Sequence, residues 1–425
     1  MKPTPTKSPT LSAPAMTRCV TGPVLMGSAV VAITTLSGCE RRLFDVDLTI
    51  VEARTVAQDF NDVTISHSTV GDVGDENGGF NEKPFEFSDE ATEVRFEVKY
   101  LDGDFSLVAF GRTRPFAVPD IGGVIPATVL MAPANEVGVL STVPPALGGD
   151  ACVADDGLGR VFLTGGSASS QAYVLDDRFD VLGLRGGFPD GVGGVGCAAN
   201  AGVVAVTGGC TADAASTIVL IDLEGVQATI EPAALSEPCG AAAAPRSDGL
   251  VWLIDGDHRL TTVGNDGAVR ANVAGPRAGV RRGFEVTAAD AVVFILDGEL
   301  HYADTTLVPL GSAIALGRHG SDVLVLDDDG LVASIENATT RPLAGVASIA
   351  EDDIAHFVVT DDGTFVGLSV DGTTLHVVGS VNAGGAVRTV STTVTGATRV
   401  AALPGGTIVI GGANVAGLQT VAFTP

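Results

Sequence analysis

Apolar and polar residues alternate along the first part of the chain, a pattern typical of strands with one buried face. The alternation is clear in FDVDLTIVEA (residues 44–53) and in TEVRFEVKYLDGDFSLVAFG (residues 92–111). The second segment contains Asp102-Gly103, a dipeptide that favours a tight hairpin turn. A glycine-rich acidic stretch separates the two segments and predicts a long loop. We therefore predict a small, sandwich-like all-β domain over residues 39–134.

From residue 135 to residue 425 the pattern changes to short apolar runs that end in glycine. The runs are VFLTGG, VAVTGG, VWLIDG, VFILDG, VLVLDDDG, FVVTDDG and TIVIGG. Their final residues, which lie 43, 47, 42, 32, 33 and 49 residues apart, are Gly166, Gly209, Gly256, Gly298, Gly330, Gly363 and Gly412. A period near 40 residues built of short strands indicates a β-propeller in which each repeat forms one blade.

The number of blades and the closure of the ring also follow from these repeats. Seven repeats favour seven blades, and the two short gaps leave six blades open as an alternative. The last repeat ends at Pro425, about one strand short of a four-stranded blade. We therefore predict that EVGVLSTV, residues 136–143, supplies the missing outer strand and closes the ring.

Three of the repeats carry a glycine pair and resemble kelch repeats, the propeller type of the galactose oxidase central domain. The pairs are Gly165-Gly166, Gly208-Gly209 and Gly411-Gly412, and Tyr173 occupies the place of a downstream aromatic residue. The other four repeats lack the pair, and Trp252, the only tryptophan, lies inside a glycine-ended run. The resemblance implies a propeller and does not specify an activity, because propellers serve many functions.

Four consecutive repeats have an aspartate where the others have the first glycine of the pair. These residues are Asp255, Asp297, Asp329 and Asp362. If they occupied equivalent places in successive blades, they would form a ring of carboxylates able to hold a hard cation such as calcium. The alternative, which we favour, is that each Asp-Gly makes a turn, because aspartate tolerates turn geometry and caps its own backbone.

The N-terminus places basic residues before the apolar run VTGPVLMGSAVVAITTLSGC, residues 20–39. Leu36, Ser37 and Gly38 precede Cys39, so that residues 1–38 resemble a bacterial lipoprotein signal peptide with its lipobox. The resemblance implies cleavage before Cys39 and lipidation of that residue. Glu40 stands where the inner-membrane retention signal would have aspartate, which implies the outer membrane, facing either the periplasm or the exterior. An ordinary secretory signal is the alternative.

Four cysteines follow the proposed lipidation site: Cys152, Cys197, Cys210 and Cys239. An even set in an oxidising compartment predicts two disulfides, with three possible connectivities. We prefer Cys152 with Cys197 and Cys210 with Cys239. The alternative is that these residues are buried free thiols that pack as small hydrophobic groups.

Charge and motif content exclude several classes of function. With 51 acidic and 24 basic residues, the chain has a formal charge of −27, which disfavours nucleic-acid binding. The stretch GVGGVG, residues 191–196, leads into a predicted strand instead of the helix that a dinucleotide site requires. No lysine follows a glycine, and the six histidines show no zinc-ligand spacing.

Two hypotheses about function remain after these exclusions. The first, which we favour, is a membrane-anchored, non-catalytic binding or scaffold module that uses a propeller face and needs no cofactor. The second is an extracytoplasmic hydrolase or oxidase whose active groups lie on blade loops. Carboxylates and histidines with strongly shifted pKa values at the channel would favour the enzyme.

Overall fold

The computed structural model describes the strands and their tight turns. The described residues are 42–53, 62–70, 85–87, 92–118, 124–140, 152–164, 172–176, 181–183, 194–208, 217–231, 241–272, 279–302, 306–308, 310–345, 354–378, 387–391, 396–403, 405–412 and 418–422. In these ranges the chain is all-β. None of them contains a helix that is long and apolar enough to cross a membrane. The proposed signal peptide, Cys39, Cys210 and Cys239 lie outside the described residues.

The first seven strands form one mixed sheet. They are β1 (Arg42–Glu52), β2 (Asp62–Val70), β3 (Phe85–Phe87), β4 (Glu93–Leu101), β5 (Leu107–Arg112), β6 (Phe116–Ala117) and β7 (Val124–Pro133). The strand order is β2-β4-β5-β7-β1-β3, and β6 pairs with β4. β1 and β7 run parallel, and the other pairs in this sheet are antiparallel.

Strands β4 and β7 of this sheet share one hydrophobic core. Every second residue of β4 is buried, and Phe96 and Val98 from β4 belong to the same buried cluster as Val129 and Met131 from β7. The small all-β domain predicted as sandwich-like is thus built of one continuous mixed sheet. The turn predicted at Asp102-Gly103 is confirmed, since Asp102 Oδ1 accepts hydrogen bonds from the backbone N–H groups of Asp104 and Ser106 at 2.9 and 2.8 Å.

After β7, the described strands form seven antiparallel units of four strands, which we number as blades 1 to 7 in chain order. Blade 1 contains β9 (Cys152–Asp155), β10 (Val161–Thr164), β11 (Ala172–Leu175) and β12 (Val181–Gly183). Blade 2 contains β13 (Gly194–Asn200), β14 (Val203–Gly208), β15 (Thr217–Asp222) and β16 (Gly225–Ile230). Blade 3 contains β17 (Ala242–Pro245), β18 (Val251–Ile254), β19 (Leu260–Val263) and β20 (Val269–Asn272).

Blades 4 to 7 repeat this arrangement. Blade 4 contains β21 (Arg281–Val286), β22 (Val292–Leu296), β23 (Glu299–Tyr302) and β24 (Thr306–Leu307). Blade 5 contains β25 (Ala313–His319), β26 (Asp322–Asp327), β27 (Leu331–Glu336) and β28 (Thr339–Gly345). Blade 6 contains β29 (Ile354–Val359), β30 (Phe365–Ser369), β31 (Thr374–Val378) and β32 (Val387–Ser391). Blade 7 contains β33 (Ala397–Ala402), β34 (Thr407–Gly412), β35 (Leu418–Ala422) and β8 (Gly138–Leu140).

The first strands of the blades surround the axis of a β-propeller. Each contacts the first strand of the next blade, and β33 of blade 7 contacts β9 of blade 1, so that the ring is closed. The outermost strand of blade 7 is β8, which pairs antiparallel with β35. The prediction that residues 136–143 supply the missing outer strand is therefore confirmed at residues 138–140, and residues 141–143 lie outside the described residues.

Blades 5 and 6 are joined directly at the axis. Their first strands, β25 and β29, pair in parallel through Gly317 with Phe357 and Arg318 with Val358. A side chain at Gly317 would collide with the carbonyl oxygen of Phe357. Glycine at this position therefore permits the two backbones to approach each other closely.

One glycine-ended run does not occupy the same strand of its blade as the other six. Such runs form the second strand of a blade or its end in every blade except blade 6, where FVVTDDG forms the first strand and its following turn. The equivalent second strand in blade 6 is β30, and it is followed by Asp371-Gly372. With Gly372 in place of Gly363, the gaps to Gly330 and Gly412 become 42 and 40 residues.

The N-terminal sheet packs against one face of the propeller. We call this the proximal face; it carries the turns that join each first strand to the second, and the other is the distal face. Arg95 donates to Asp361 at 2.6 Å, and Arg112 pairs with Asp362. Leu130 packs with Val153 and Leu403 of blades 1 and 7 in one buried cluster. These contacts cover the proximal face at blades 6, 7 and 1.

Candidate functional site

Four consecutive blades each place one charged or histidine side chain near the propeller axis. Glu285 comes from β21, Arg318 from β25, His356 from β29 and Arg399 from β33. We call these four residues the axial cluster. Each lies in a first strand whose other residues are mainly small or apolar, so the strand itself is held by packing between blades while the polar side chain meets its counterparts at the centre.

The cluster is connected by hydrogen bonds that cross the axis. Arg318 Nε donates a hydrogen bond to Glu285 Oε2 at 2.9 Å, and Arg399 Nη2 donates one to Glu285 Oε1. Arg318 Nη2 also donates to the carbonyl oxygens of Ala199 and Val286, at 3.1 and 2.9 Å, and Arg399 Nη1 donates to that of Cys197. The network therefore joins blades 5 and 7 to blades 2 and 4.

Burial shapes the electrostatics of the two arginines. Removal from water lowers the pKa of Arg399 to about 10 and lowers that of Arg318, where the negative charges of Asp155 and Asp156 act in the opposite direction. Both guanidinium groups therefore stay charged at neutral pH. Charge-assisted hydrogen bonds of this kind are stronger than neutral ones and fix geometry well.

His356 is the member of the cluster that has no hydrogen-bonding partner among the described residues. Its side chain is nine-tenths buried, and neither ring nitrogen is hydrogen-bonded within the described part of the chain. Nε2 lies 3.7 Å from Glu285 Oε1, which is beyond hydrogen-bonding distance. Burial, assisted by the positive charge of Arg318, lowers the pKa of His356 to about 3. The imidazole is neutral at physiological pH.

Asp155 lies at the proximal end of the axis, where β9 ends. Burial raises the pKa of its carboxyl to about 7, with Asp156 adding to this effect and the N–H of Gly157 and the charge of Arg318 opposing it. The Gly157 N–H donates to Asp155 Oδ1 at 2.7 Å. Asp155 therefore changes charge near neutral pH, beside a buried arginine.

We expect this carboxyl to make stability depend on pH. Its folded pKa of about 7 exceeds the ordinary value of 3.8, so the folded chain binds the proton more tightly. The free energy of unfolding should fall as pH rises from about 4 to about 7 and then level off. Asp155→Asn should remove on the order of 2 kcal/mol from the change in the free energy of unfolding between pH 5 and pH 8.

Thermal unfolding at both pH values measures this effect. The matched control is Asp322→Asn, an exposed carboxylate also on the proximal side. The interpretation would be wrong if the unfolding temperatures of the original protein, the Asp155→Asn variant and the control all changed with pH in the same way.

The four aspartates proposed as a cation ring do not share one place in the blades. Asp255, Asp297 and Asp329 follow second strands, whereas Asp362 follows the first strand of blade 6 and pairs with Arg112 at the proximal face. The ring is therefore wrong at Asp362. In the part of the chain that the structure describes, no three His, Cys, Asp or Glu residues are grouped to hold a metal ion.

The aspartates at the ends of second strands instead stabilise turns. Asp255 Oδ1 accepts the Arg259 N–H at 2.8 Å, and Asp297 Oδ1 accepts the Val280 N–H at 2.8 Å. In blade 5 the neighbouring Asp327 accepts the N–H groups of Asp329 and Leu331. The contact of Asp255 matches the alternative interpretation, in which aspartate caps its own turn, whereas Asp297 holds the backbone before β21 and the cap in blade 5 comes from Asp327.

One of the two predicted disulfides is present. Cys152 and Cys197 are bonded, with 6.2 Å between their Cα atoms, and join the first strands of blades 1 and 2. The preferred pairing is thus confirmed for this pair. The second proposed pair, Cys210 with Cys239, lies outside the described residues.

Sequence analysis did not identify the axial cluster. The available signal was one or two charged or histidine residues inside an otherwise apolar first strand, as in AIALGRH and IAHFVV. Such residues are ordinarily surface residues of a half-buried strand, and only the assignment of these segments to first strands places them at the axis.

Comparisons with known proteins show the β-propeller fold and assign the chain to no family. No family model matches the chain, and no curated protein matches it. Among solved structures it is similar to a catalytically inactive virginiamycin B lyase from Staphylococcus aureus with quinupristin, at 10% identity and a TM-score of 0.48, covering 67% of this chain and 98% of that one.

Two further structures have the same overall likeness. BamB from Moraxella catarrhalis is 14% identical, with a TM-score of 0.37, and the match covers 63% of this chain and 83% of that chain. The WD40 β-propeller domain of Doa1 is 13% identical, with a TM-score of 0.41, and covers 64% and 92%. At these identities the likeness concerns the propeller fold alone.

Proposed function

We propose that the chain is a membrane-anchored, extracytoplasmic lipoprotein that acts as a non-catalytic binding or scaffold module through the distal face of its propeller. The kelch-like glycine pairs and the lipobox-like N-terminus support this proposal by resemblance. The observation that carries it is the use of the axial charged groups in contacts within the protein.

A catalytic group has to reach the substrate, and most donors of the axial cluster are already occupied. Arg318 and Arg399 share Glu285 and donate to backbone carbonyls of blades 2 and 4. Removing one of these bonds during a reaction would leave a buried charge without its partner, which is costly. The axis therefore serves better as a brace than as a reaction channel.

The position of the N-terminal sheet makes the distal face the better binding surface. Arg95, Arg112 and Leu130 occupy the proximal face at blades 6, 7 and 1. On the distal face, Val280 of blade 4 and Val370 of blade 6 are 65% and 61% exposed. These two exposed apolar side chains are available for a protein partner to cover.

The proposed location rests on two features of different kind. By its resemblance to a lipobox, the segment ending at Cys39 would provide a lipid anchor, and several acyl chains anchor a protein stably. The Cys152–Cys197 disulfide suits an oxidising compartment such as the periplasm or the cell surface. A bacterial outer-membrane location is consistent with both.

We expect Cys39→Ser to release the protein from membranes. Full-length protein made in a Gram-negative host should fractionate with membranes and incorporate a labelled fatty acid, and the Cys39→Ser variant should do neither. Cys210→Ser is the control because it removes another cysteine outside the predicted lipobox. Equal labelling of the original chain and the Cys39→Ser variant would contradict the anchor.

The binding proposal is tested by co-purification in mild detergent from the native membrane. We expect a stoichiometric protein partner, lost with Val280→Asp combined with Val370→Asp on the distal face. Leu158→Asp is the matched control, because Leu158 is 60% exposed on the proximal side. A partner retained by the distal variant and lost by the Leu158→Asp control would place the interface on the proximal face and contradict the proposal.

A second candidate function, an extracytoplasmic hydrolase, is favoured by one observation. Asp155 and His356 have pKa values displaced to about 7 and about 3, and both interact with Arg318. Displaced pKa values concentrate at catalytic sites but also arise in structural networks. Hydrolysis that is abolished by His356→Gln in a folded variant would favour the enzyme over the scaffold.

A further inference from the structure

The axial cluster contains more positive charge than negative charge. Arg318 and Arg399 contribute two guanidinium groups, Glu285 contributes one carboxylate, and His356 is neutral. A buried charge without a partner is unfavourable, so buried charges are ordinarily paired. Within the cluster one positive charge has no carboxylate of its own; Asp155 at the proximal end of the axis interacts with Arg318 and compensates part of that charge near neutral pH.

The cluster also has hydrogen-bond donors left over. The bonds of Arg318 use Nε and Nη2, and those of Arg399 use Nη1 and Nη2. Arg318 Nη1 and Arg399 Nε take part in none of these bonds, and both ring nitrogens of the buried His356 are without a hydrogen-bonding partner among the described residues. Buried polar groups in native proteins nearly always have a partner.

These leftover groups lie around one carboxylate. Arg399 Nη2 contacts Glu285 Oε1, and His356 Nε2 lies 3.7 Å from that same oxygen, while Arg318 holds Oε2. Both oxygens of Glu285 are therefore already engaged by positive charge, which reduces their repulsion toward a second anion. The donor set consists of N–H groups, which suits an oxyanion and does not suit a cation.

We propose that the propeller axis binds a small oxyanion, a carboxylate or phosphate group, held by Arg399, His356 and Arg318. The anion would neutralise the surplus charge and accept the unpaired N–H groups. Such a site is distinct from the distal binding face, so that either proposal stands if the other fails.

The experiment measures anion binding by the full-length purified protein. Inorganic phosphate, sulfate and acetate are titrated separately by calorimetry and by thermal unfolding, with chloride at equal ionic strength as the reference. We expect one oxyanion to bind with one-to-one stoichiometry and to raise the unfolding temperature. Binding of phosphate would identify a phosphate group as the ligand, and binding of acetate would identify a carboxylate.

Two histidine variants locate the site. His356→Leu should lower the affinity for the anion about tenfold or more, because one buried donor is lost. His319→Leu is the matched control from the proximal end of β25, outside the axial cluster. If His356→Leu does not fold, His356→Gln, which keeps an N–H donor, replaces it and should weaken binding by a smaller factor.

Three outcomes would overturn the proposal. The first is that none of the three oxyanions binds the original protein beyond the chloride reference. The second is that all variants bind equally, which would place the anion elsewhere on the surface. The third is that His319→Leu loses binding while His356→Leu or His356→Gln keeps it in full.

Discussion

Replacing Glu285 by glutamine is expected to lower the free energy of unfolding by about 3–5 kcal/mol, the usual effect of removing one partner from a buried ionic network. Glutamine keeps the size of the side chain, so that the change tests charge more than packing. It leaves Arg318 and Arg399 buried without a carboxylate between them. Burial has already lowered the pKa of Arg399 to about 10, and this variant removes the charge that compensates it.

Equilibrium unfolding in urea, followed by tryptophan fluorescence, measures this effect, because Trp252 in blade 3 is the only tryptophan. Glu336→Gln is the control, since Glu336 is exposed at the end of β27. A loss of stability confined to Glu285→Gln would establish that the axial network stabilises the fold. Equal midpoints for the two variants would show that the network contributes little to stability.

A combined variant separates stability from specificity in the same network. Glu285→Leu with Arg318→Met and Arg399→Met replaces all three charges by apolar groups of similar length. Buried ionic networks replaced in this way often keep or gain stability. A combined variant as stable as the original protein would indicate that the charges are retained for another role, and binding of an oxyanion is the role proposed above.

The second large effect is expected from the disulfide. Replacing Cys152 and Cys197 together by alanine should lower the free energy of unfolding by about 2–4 kcal/mol, as the entropy of closing the 45-residue loop predicts. Both cysteines are buried in one cluster with Phe162 and Val204. Alanine leaves small cavities there, which adds to the loss.

Unfolding with and without a reducing agent checks this result. The reducing agent should shift the midpoint of the original protein by more than that of the double alanine variant. Cys210→Ser with Cys239→Ser is the companion variant, because any further redox-dependent shift would then be assigned to that pair. A double alanine variant with the original midpoint would contradict a stabilising role for the bond between blades 1 and 2.

The prediction of blade closure shows where sequence reasoning was sufficient. The repeats ended about one strand short, and a four-stranded sheet needs its outer strand, so residues 136–143 were the nearest candidate. The pairing of β8 with β35 confirms it. Local alternation was likewise enough for the Asp102 turn, because a hairpin is determined by residues adjacent in sequence.

Blade 6 shows where the same reasoning failed. FVVTDDG matched the glycine-ended runs in composition, but two strands of one blade can carry similar apolar sequences because both are buried between neighbouring blades. β29 and β30 are both almost wholly buried. Only the pairing of strands distinguishes the first from the second, and it moves Asp362 to the proximal face.

By itself, the sequence determined the all-β class and the repeat, because both appear as periodicity along the chain. The closing strand followed from counting the strands of the last repeat, whereas the Cys152–Cys197 pairing was a preference among three connectivities that the structure decided. The tertiary structure alone decided the axial cluster. Glu285, Arg318, His356 and Arg399 are 33, 38 and 43 residues apart in succession. No local pattern relates such positions; they meet because the closed ring brings the first strands of four blades to a common axis, where burial and opposite charge then make them one network.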